Sequence, residues 1–274
     1  MKNQTMQKLL KLLLMPALFC FLGGSTQAAA AKKLLVVTVT KGFRHSSIPT
    51  AEKILGELAQ KSGDFTVDYA RSDQEIAEKM TPEALKKYDG FIFANTTGDL
   101  PLPDKQAFID AVKSGKAFIG MHSASDTFHN FPPYAEMLGG EFQTHHAQVH
   151  VDCINQDAKH PATRHLGPTF GVFDEIYIQK NFHRDQVHGL LTLNAHPNEK
   201  TPGDYPIAWC KEFGKGRVFY TALGHREDIW DTDTPEKFKR ENSKEVSEAY
   251  QKHILGGIKW ALGLEKGSGK PQSK

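Results

Sequence analysis

The sequence predicts an α/β fold with a mostly parallel sheet and helices on both faces. Apolar, β-rich runs such as KLLVVTVT at 33–40 and GFIFA at 90–94 read as strands buried on both sides. Between residues 33 and 121 such runs alternate with stretches of helical length, the signature of β-α-β units. His45, His122 and His225 each fall within a few residues of an expected strand end, and ligands of open α/β sheets bind in the crevice at those ends.

The first strand, 33–40, leads into the polar loop Lys41-Gly42-Phe43-Arg44-His45. Ser47 and Pro49 mark a helix start, serine as cap and proline in the first turn, with the helix running to about residue 61 and closed by Ser62-Gly63-Asp64. A second strand is expected at 65–69, then helix over 75–87 broken at Pro82, a strand at 90–94, a helix over 103–114 and a strand at 116–121. Residues 131–200 are rich in His, Pro and Gly and less regular, with short strands at 149–152 and 175–178. Regularity returns at 205–210 and 217–223, a pair joined by the hairpin turn Glu212-Phe213-Gly214-Lys215-Gly216. A last helix, 243–262, sets Val246, Tyr250, Ile254 and Ile258 on one face. From Gly267 on, a polar tail is expected to be disordered.

Residues 1–30 read as a secretory leader. Lys2, Lys8 and Lys11 precede an apolar run at 12–22, and small residues lead to a cleavage site near Ala28 to Ala30. The run falls short of the ~20 residues of a spanning helix, and Phe19 before Cys20 argues against a lipid anchor. The chain holds 34 Lys+Arg and 32 Asp+Glu; the leader takes three lysines and no acid, so the mature chain is one unit negative. Nothing in that balance asks for nucleic acid or an anionic membrane. The expected location is periplasmic or secreted. Cys153 and Cys210 could pair in such a compartment or stand as separate half-buried thiols, and the sequence leaves both open.

Gly120-Met121-His122-Ser123-Ala124-Ser125-Asp126 has the outline of a nucleophile elbow, with histidine at the exposed position. Histidine suits acid–base work near neutral pH or metal binding. Ser123 and Ser125 lack the G-x-S-x-G frame. His145 and His146, adjacent on an extended segment, point opposite ways, and Glu175 and Tyr177 share a face with Asp174 opposite. His183 and His188 could extend the site or lie on the surface; Glu227 or Asp228 could orient an imidazole or be ordinary loop acids. His122, His145 and His225 could supply three nitrogens to a zinc or manganese ion. No HExxH motif is present, so a metal site must be assembled from distant segments. The first loop lacks G-x-G-x-x-G, and no nucleotide cofactor is expected.

Nine segments in order resemble the ThuA-like family, named for trehalose utilisation: GFRHSS at 42–47, YDG at 88–90, GMHSASD at 120–126, MLGGEFQTHH at 137–146, KHPAT at 159–163, FDEIY at 173–177, YPIAW at 205–209, GKGRVFYTALGH at 214–225 and IKWALG at 258–263. The resemblance implies a flavodoxin-like fold similar to class I glutamine amidotransferases. It also marks a departure, because the amidotransferase elbow carries cysteine where this chain has Met121-His122. Thiol-based glutamine hydrolysis is therefore not expected. The family's link to disaccharides and 3-keto sugars implies a carbohydrate substrate, cleaved or isomerised. In that setting His122, Glu175 and, as the alternative carboxylate, Asp126 are the candidate acid–base groups. His45 and Tyr177 would orient hydroxyls, Arg226 would hold an oxyanion, and Trp209 would stack on a sugar or belong to the core. Competing readings are a non-catalytic sugar-binding protein, a metal-dependent hydrolase of another small polar molecule and a two-carboxylate glycosidase.

Overall fold

The computed structural model describes residues 30–234 and 238–272; the expected leader, Ala30 apart, lies outside the described residues. Strand β1 (Lys32–Val37) is followed by α1 (Ile48–Ser62), β2 (Phe65–Ala70), α2 (Asp73–Lys79), α3 (Pro82–Leu85), β3 (Gly90–Ala94), α4 (Lys105–Lys113) and β4 (Ala117–Met121). Then come a 3-10 turn (His122–Asp126), α5 (Pro132–Leu138), β5 (Glu141–His145), β6 (Val149–Asn155), β7 (Thr169–Asp174) and β8 (Tyr177–Lys180). The chain continues through β9 (His188–Ala195), β10 (Pro202–Phe213), β11 (Gly216–Thr221), α6 (Glu227–Trp230) and α7 (Lys244–Ala261). No helix among the described residues is long and apolar enough to cross a membrane.

The main sheet has the order β2-β1-β3-β4-β11-β10-β9-β6-β7. From β2 to β11 the pairs are parallel, as the β-α alternation requires. From β11 to β7 they are antiparallel. Period-2 alternation splits β1 between two cores: Leu34 and Val36 face α1 and α7, while Leu35 and Val37 face the side of α2, α4 and α5. At β10–β11 the pair Phe213↔Gly216 closes a two-residue turn in which Gly214 adopts φ 61, so the hairpin forms where the glycines stand.

Four expectations change. The 131–200 region, expected to be less regular with two short strands, holds α5 and five strands, β5 to β9. The strand expected at 175–178 begins at Tyr177, leaving Glu175 on the loop after β7. Ser47 does not cap α1 through its side chain; its Oγ donates to the carbonyl of Gly224 at 3.2 Å and accepts Asn95 Nδ2 at 3.0 Å, tying the first loop to the end of β11. The polar tail is docked over its described length. Trp260 Nε1 donates to Gly267 O (3.0 Å), Cys210 Sγ to Ser268 O (3.5 Å) and His188 Nδ1 to Lys270 O (2.8 Å). Cys153 and Cys210 are both free and buried, so no disulfide joins them.

Candidate metal centre

His122 follows β4 without a spacer and has φ 47, a left-handed conformation that costs a non-glycine residue on the order of 1–3 kcal/mol. The turn is sharp because Gly120 and Ala124 are small: a Cβ on Gly120 would sit 3.3 Å from that of Ala124 and 3.0 Å from the Tyr220 ring. The result is an elbow with an imidazole at its tip. Nδ1 of His122 donates to the carbonyl of Ala222, 2.8 Å away on the segment leaving β11. That bond holds the ring proton on Nδ1 and leaves a lone pair on Nε2.

Three further groups meet that lone pair. His45 Nε2 stands 3.2 Å from His122 Nε2, with the other His45 nitrogen 3.4 Å from Ser123 Oγ. His225 Nδ1 stands 3.3 Å from His122 Nε2 and 3.2 Å from Glu175 Oε1. Glu175 Oε1 is 3.9 Å from His122 Nε2. One donor atom from each of His45, His122, Glu175 and His225 lies within 4.8 Å of all the others. Burial, reinforced by neighbouring imidazoles, pushes the His45 pKa down to about 4 and that of His122 well below its ordinary value. At His225 burial also works downward, but the bond and charge of Glu175 outweigh it and the pKa rises.

The antiparallel half of the sheet supplies Glu175. Asp174, at the end of β7, accepts the Gly224 N–H on Oδ2 at 2.7 Å, which folds the sheet edge back over the end of β11. Burial pushes the Asp174 carboxyl up to about 6, against the pull of that N–H. Asn242 clasps both backbone groups of Phe173, at 2.9 and 2.8 Å, and is itself held by the fully buried Asp228. The donors thus rest on a hydrogen-bonded frame of the kind that fixes ligand orientation.

A cavity of about 480 Å³ opens over the group and is walled by Phe43, Asp126, Phe142, His145 and Tyr177. The Tyr177 ring lies 4.3 Å from that of His122 and 4.3 Å from that of Phe142. A larger cavity, about 670 Å³, lies at the strand starts near Lys32, Asp89 and Ala117 and gathers no comparable donor set.

The structure gathers His122 and His225 of the expected metal set with Glu175, the expected acid–base group, and with His45, expected to orient hydroxyls. His145 lines the same cavity, half exposed, with Nδ1 3.1 Å from Oε2 of Glu175, beside the four-donor group rather than within it. Asp126 and Tyr177 line the cavity. Trp209 does not. It is fully buried, donates Nε1–H to Leu138 O at 2.8 Å and packs on Tyr220 and Phe182, so no face is left for a sugar. The Arg226 guanidinium is engaged by Asp228, Gln148 and the Lys239 carbonyl, a brace between loops rather than a free oxyanion holder. A second group, His146, His196 and Glu199, also clusters. There Nδ1 of His196 accepts the N–H groups of Asn198 and Glu199, which leaves Nε2 of the neutral ring protonated and without a lone pair for a metal. Sequence reasoning assigned no role to Phe142 or His129, whose only signal is proximity that the fold creates.

The fold has counterparts among known proteins. A ThuA-like protein of Parabacteroides merdae superposes with TM-score 0.67 at 17% identity, over 89% of this chain and 92% of that one. A ThuA-like protein of Bacteroides uniformis gives TM-score 0.64 at 22% identity, over 90% and 98%. A β-galactosidase of Bacillus circulans shares the fold at TM-score 0.52 and 13% identity, over 88% of this chain but 32% of its own. No curated protein matches the sequence. The model of the ThuA family, described as trehalose utilisation, matches residues 33–261, and the chain belongs to that family.

Proposed function

We propose that the protein binds one divalent metal ion, zinc or manganese, through His45 Nε2, His122 Nε2, His225 Nδ1 and Glu175 Oε1, and acts there on a disaccharide or 3-keto-glycoside. The observation that carries this reading is the convergence of one possible ligand atom from each of His45, His122, Glu175 and His225 within 4.8 Å of one another, around a His122 Nε2 whose ring proton is held on Nδ1. Around a tetrahedral zinc with Zn–N of 2.0–2.1 Å, donors stand about 3.3 Å from one another. The gaps of 3.2 Å (His45–His122), 3.3 Å (His122–His225) and 3.2 Å (His225–Glu175) lie near that spacing, while His122 to Glu175 at 3.9 Å is wider and would have to close on a bound ion.

A cation held there supplies Lewis acidity to a carbonyl or hydroxyl oxygen. Glu175, placed among the donors, is the anionic ligand, and the acid–base role passes to Asp126 on the cavity wall. Burial keeps Tyr177 protonated, so its hydroxyl can orient a sugar oxygen while Phe142 and the Tyr177 ring offer an apolar wall. A carbohydrate substrate agrees with the family's association with trehalose utilisation. Export rests on the leader-like segment at 1–30.

The test is elemental analysis of purified protein beside His122→Ala and Glu175→Gln. Stoichiometric metal in the wild type and its loss in both variants is the expected result. A folded wild type that takes up no metal after equilibration with Zn²⁺ or Mn²⁺ sinks the proposal.

A further inference from the structure

We propose that Asp126 and His129 hold one proton between them and serve as the acid–base pair of this cavity, with Glu141 fixing the His129 ring. The inference rests on the reading that the cavity receives a keto-glycoside. Asp126 ends the 3-10 turn that starts at His122 and lines the same cavity as His45 and Tyr177. Its Oδ1 lies 2.6 Å from Nε2 of His129. The other ring nitrogen of His129, Nδ1, hydrogen-bonds Oε1 of Glu141. Glu141 is itself anchored, accepting Asn181 Nδ2 at 2.8 Å on Oε2 and pairing with Lys180 Nζ at 3.1 Å through Oε1.

The three side chains connect two cavities. Asp126 faces the donor group; His129 and Glu141 line a second cavity of about 370 Å³, together with Glu136 and His183. One third of the His129 side chain is open to solvent, so the ring can exchange protons with water. Phe128, just before it, holds φ 59, a strained conformation that aims the next side chain into the gap between the two acids. Burial of the ring opposes its charged form, but Asp126 and Glu141 outweigh that effect.

The proton balance is simple. In one state the pair is protonated, an imidazolium against the Asp126 carboxylate. Donation to a substrate oxygen through Asp126 leaves a carboxylate and a neutral ring whose Nδ1–H stays on Glu141, and water returns the proton to Nε2. Abstraction of a C–H proton beside a ketone runs the same path in reverse: the C–H electron pair stays on the substrate as an enolate, and the proton ends on the pair. Asp126 is the catalytic residue; His129 and Glu141 are positioning residues that act through it.

The experiment monitors exchange of the C2 and C4 hydrogens of methyl 3-keto-α-glucopyranoside in D₂O by NMR, with metal content measured on the same samples. Asp126→Asn and His129→Ala are expected to slow exchange by roughly 10²–10³-fold with metal content unchanged. Free imidazole should restore His129→Ala and leave Asp126→Asn slow, and His129→Gln should displace the pH profile. Exchange in His129→Ala equal to wild type overturns the pair. So does slow exchange that imidazole does not restore, combined with an unshifted profile in His129→Gln, because the ring is then only structural. Metal-loaded wild type that exchanges nothing overturns the keto-glycoside reading and the role of the pair with it. Wild type without metal that still shows the His129 dependence overturns the metal centre alone.

Discussion

Two sets of buried histidines in this protein have opposite meanings. His253 is fully buried between Phe219 and Tyr250, donates Nδ1–H to Ala162 O at 2.8 Å and has no partner for Nε2 among the described residues. Burial drives its pKa down to about 3. His160, which accepts Ala162 N–H at 3.2 Å, goes to about 4 for the same first reason. His45 and His122 are lowered by burial too, yet their Nε2 atoms meet one another and a carboxylate. A depressed histidine pKa therefore marks burial. Convergence of several imidazole nitrogens with an acid marks a candidate site, and of these two sets the second has it.

The largest effect that would break this contrast is on metal affinity. His122→Ala or His225→Ala is expected to weaken binding by more than the ~10–100-fold that loss of an outer-shell partner costs. His253→Gln should leave it unchanged by isothermal titration. Equal losses in both sets would erase the distinction. Trp209→Ala should cost about 3–5 kcal/mol in chemical denaturation with metal stoichiometry intact, as expected of a filled core position. Retained stability with altered ligand binding would return Trp209 to the cavity wall.

A smaller effect concerns the docked tail. Deletion of residues 267–274 should lower stability by at least about 2 kcal/mol, since the hydrogen bonds lost include those to the carbonyls of Gly267, Ser268 and Lys270 and from Gln272 to Gly189 O, at ~0.5–1.5 kcal/mol each. It should also open Cys210 to a thiol reagent that leaves the intact protein unlabelled; labelling of both at one rate would refute the docking. A separate effect falls on the acid limb. A histidine lowered from 6.5 to about 3 binds fewer protons folded than unfolded, so its contribution is intact above pH ~6.5 and lost as pH falls toward 3. His253→Gln, which keeps a donor for Ala162 O and does not titrate, should flatten unfolding free energy against pH in that window. An unchanged slope would mean other groups govern it.

The parallel half of the fold was legible because β1, β3 and β4 are largely apolar on both faces and helical chain separates each of β1 to β4 from the next. GFIFA at 90–94 matches β3 residue for residue. The antiparallel half was legible only in part: β6 was read at 149–152 from its alternation, while β5, with a single apolar residue, Phe142, among polar ones, gives no local pattern and is fixed by pairing with β8. The elbow at His122 was visible in its small flanking residues. That His45 rather than His145 completes the donor set was not, since Ser47, Asn95 and Gly224 place the first loop through contacts over more than a hundred residues. Gly267 and Gly269 read as flexible spacers, yet a Cβ at either would stand 2.9 or 2.7 Å from the Trp260 ring. Those glycines let the backbone approach an aromatic face.

The donor atoms are far apart along the chain: His45 and His122 are separated by 77 residues, His122 and His225 by 103. Before β4 and β11 pair, the polypeptide offers only scattered imidazoles, and a chelate would require closing loops of that length at an entropic cost that native pairing has already met. An ion seated at the strand ends would then behave as a removable cross-link among four loops. It would slow unfolding most where those loops must separate first, so the protein's lifetime under heat or protease would follow the metal content of its surroundings.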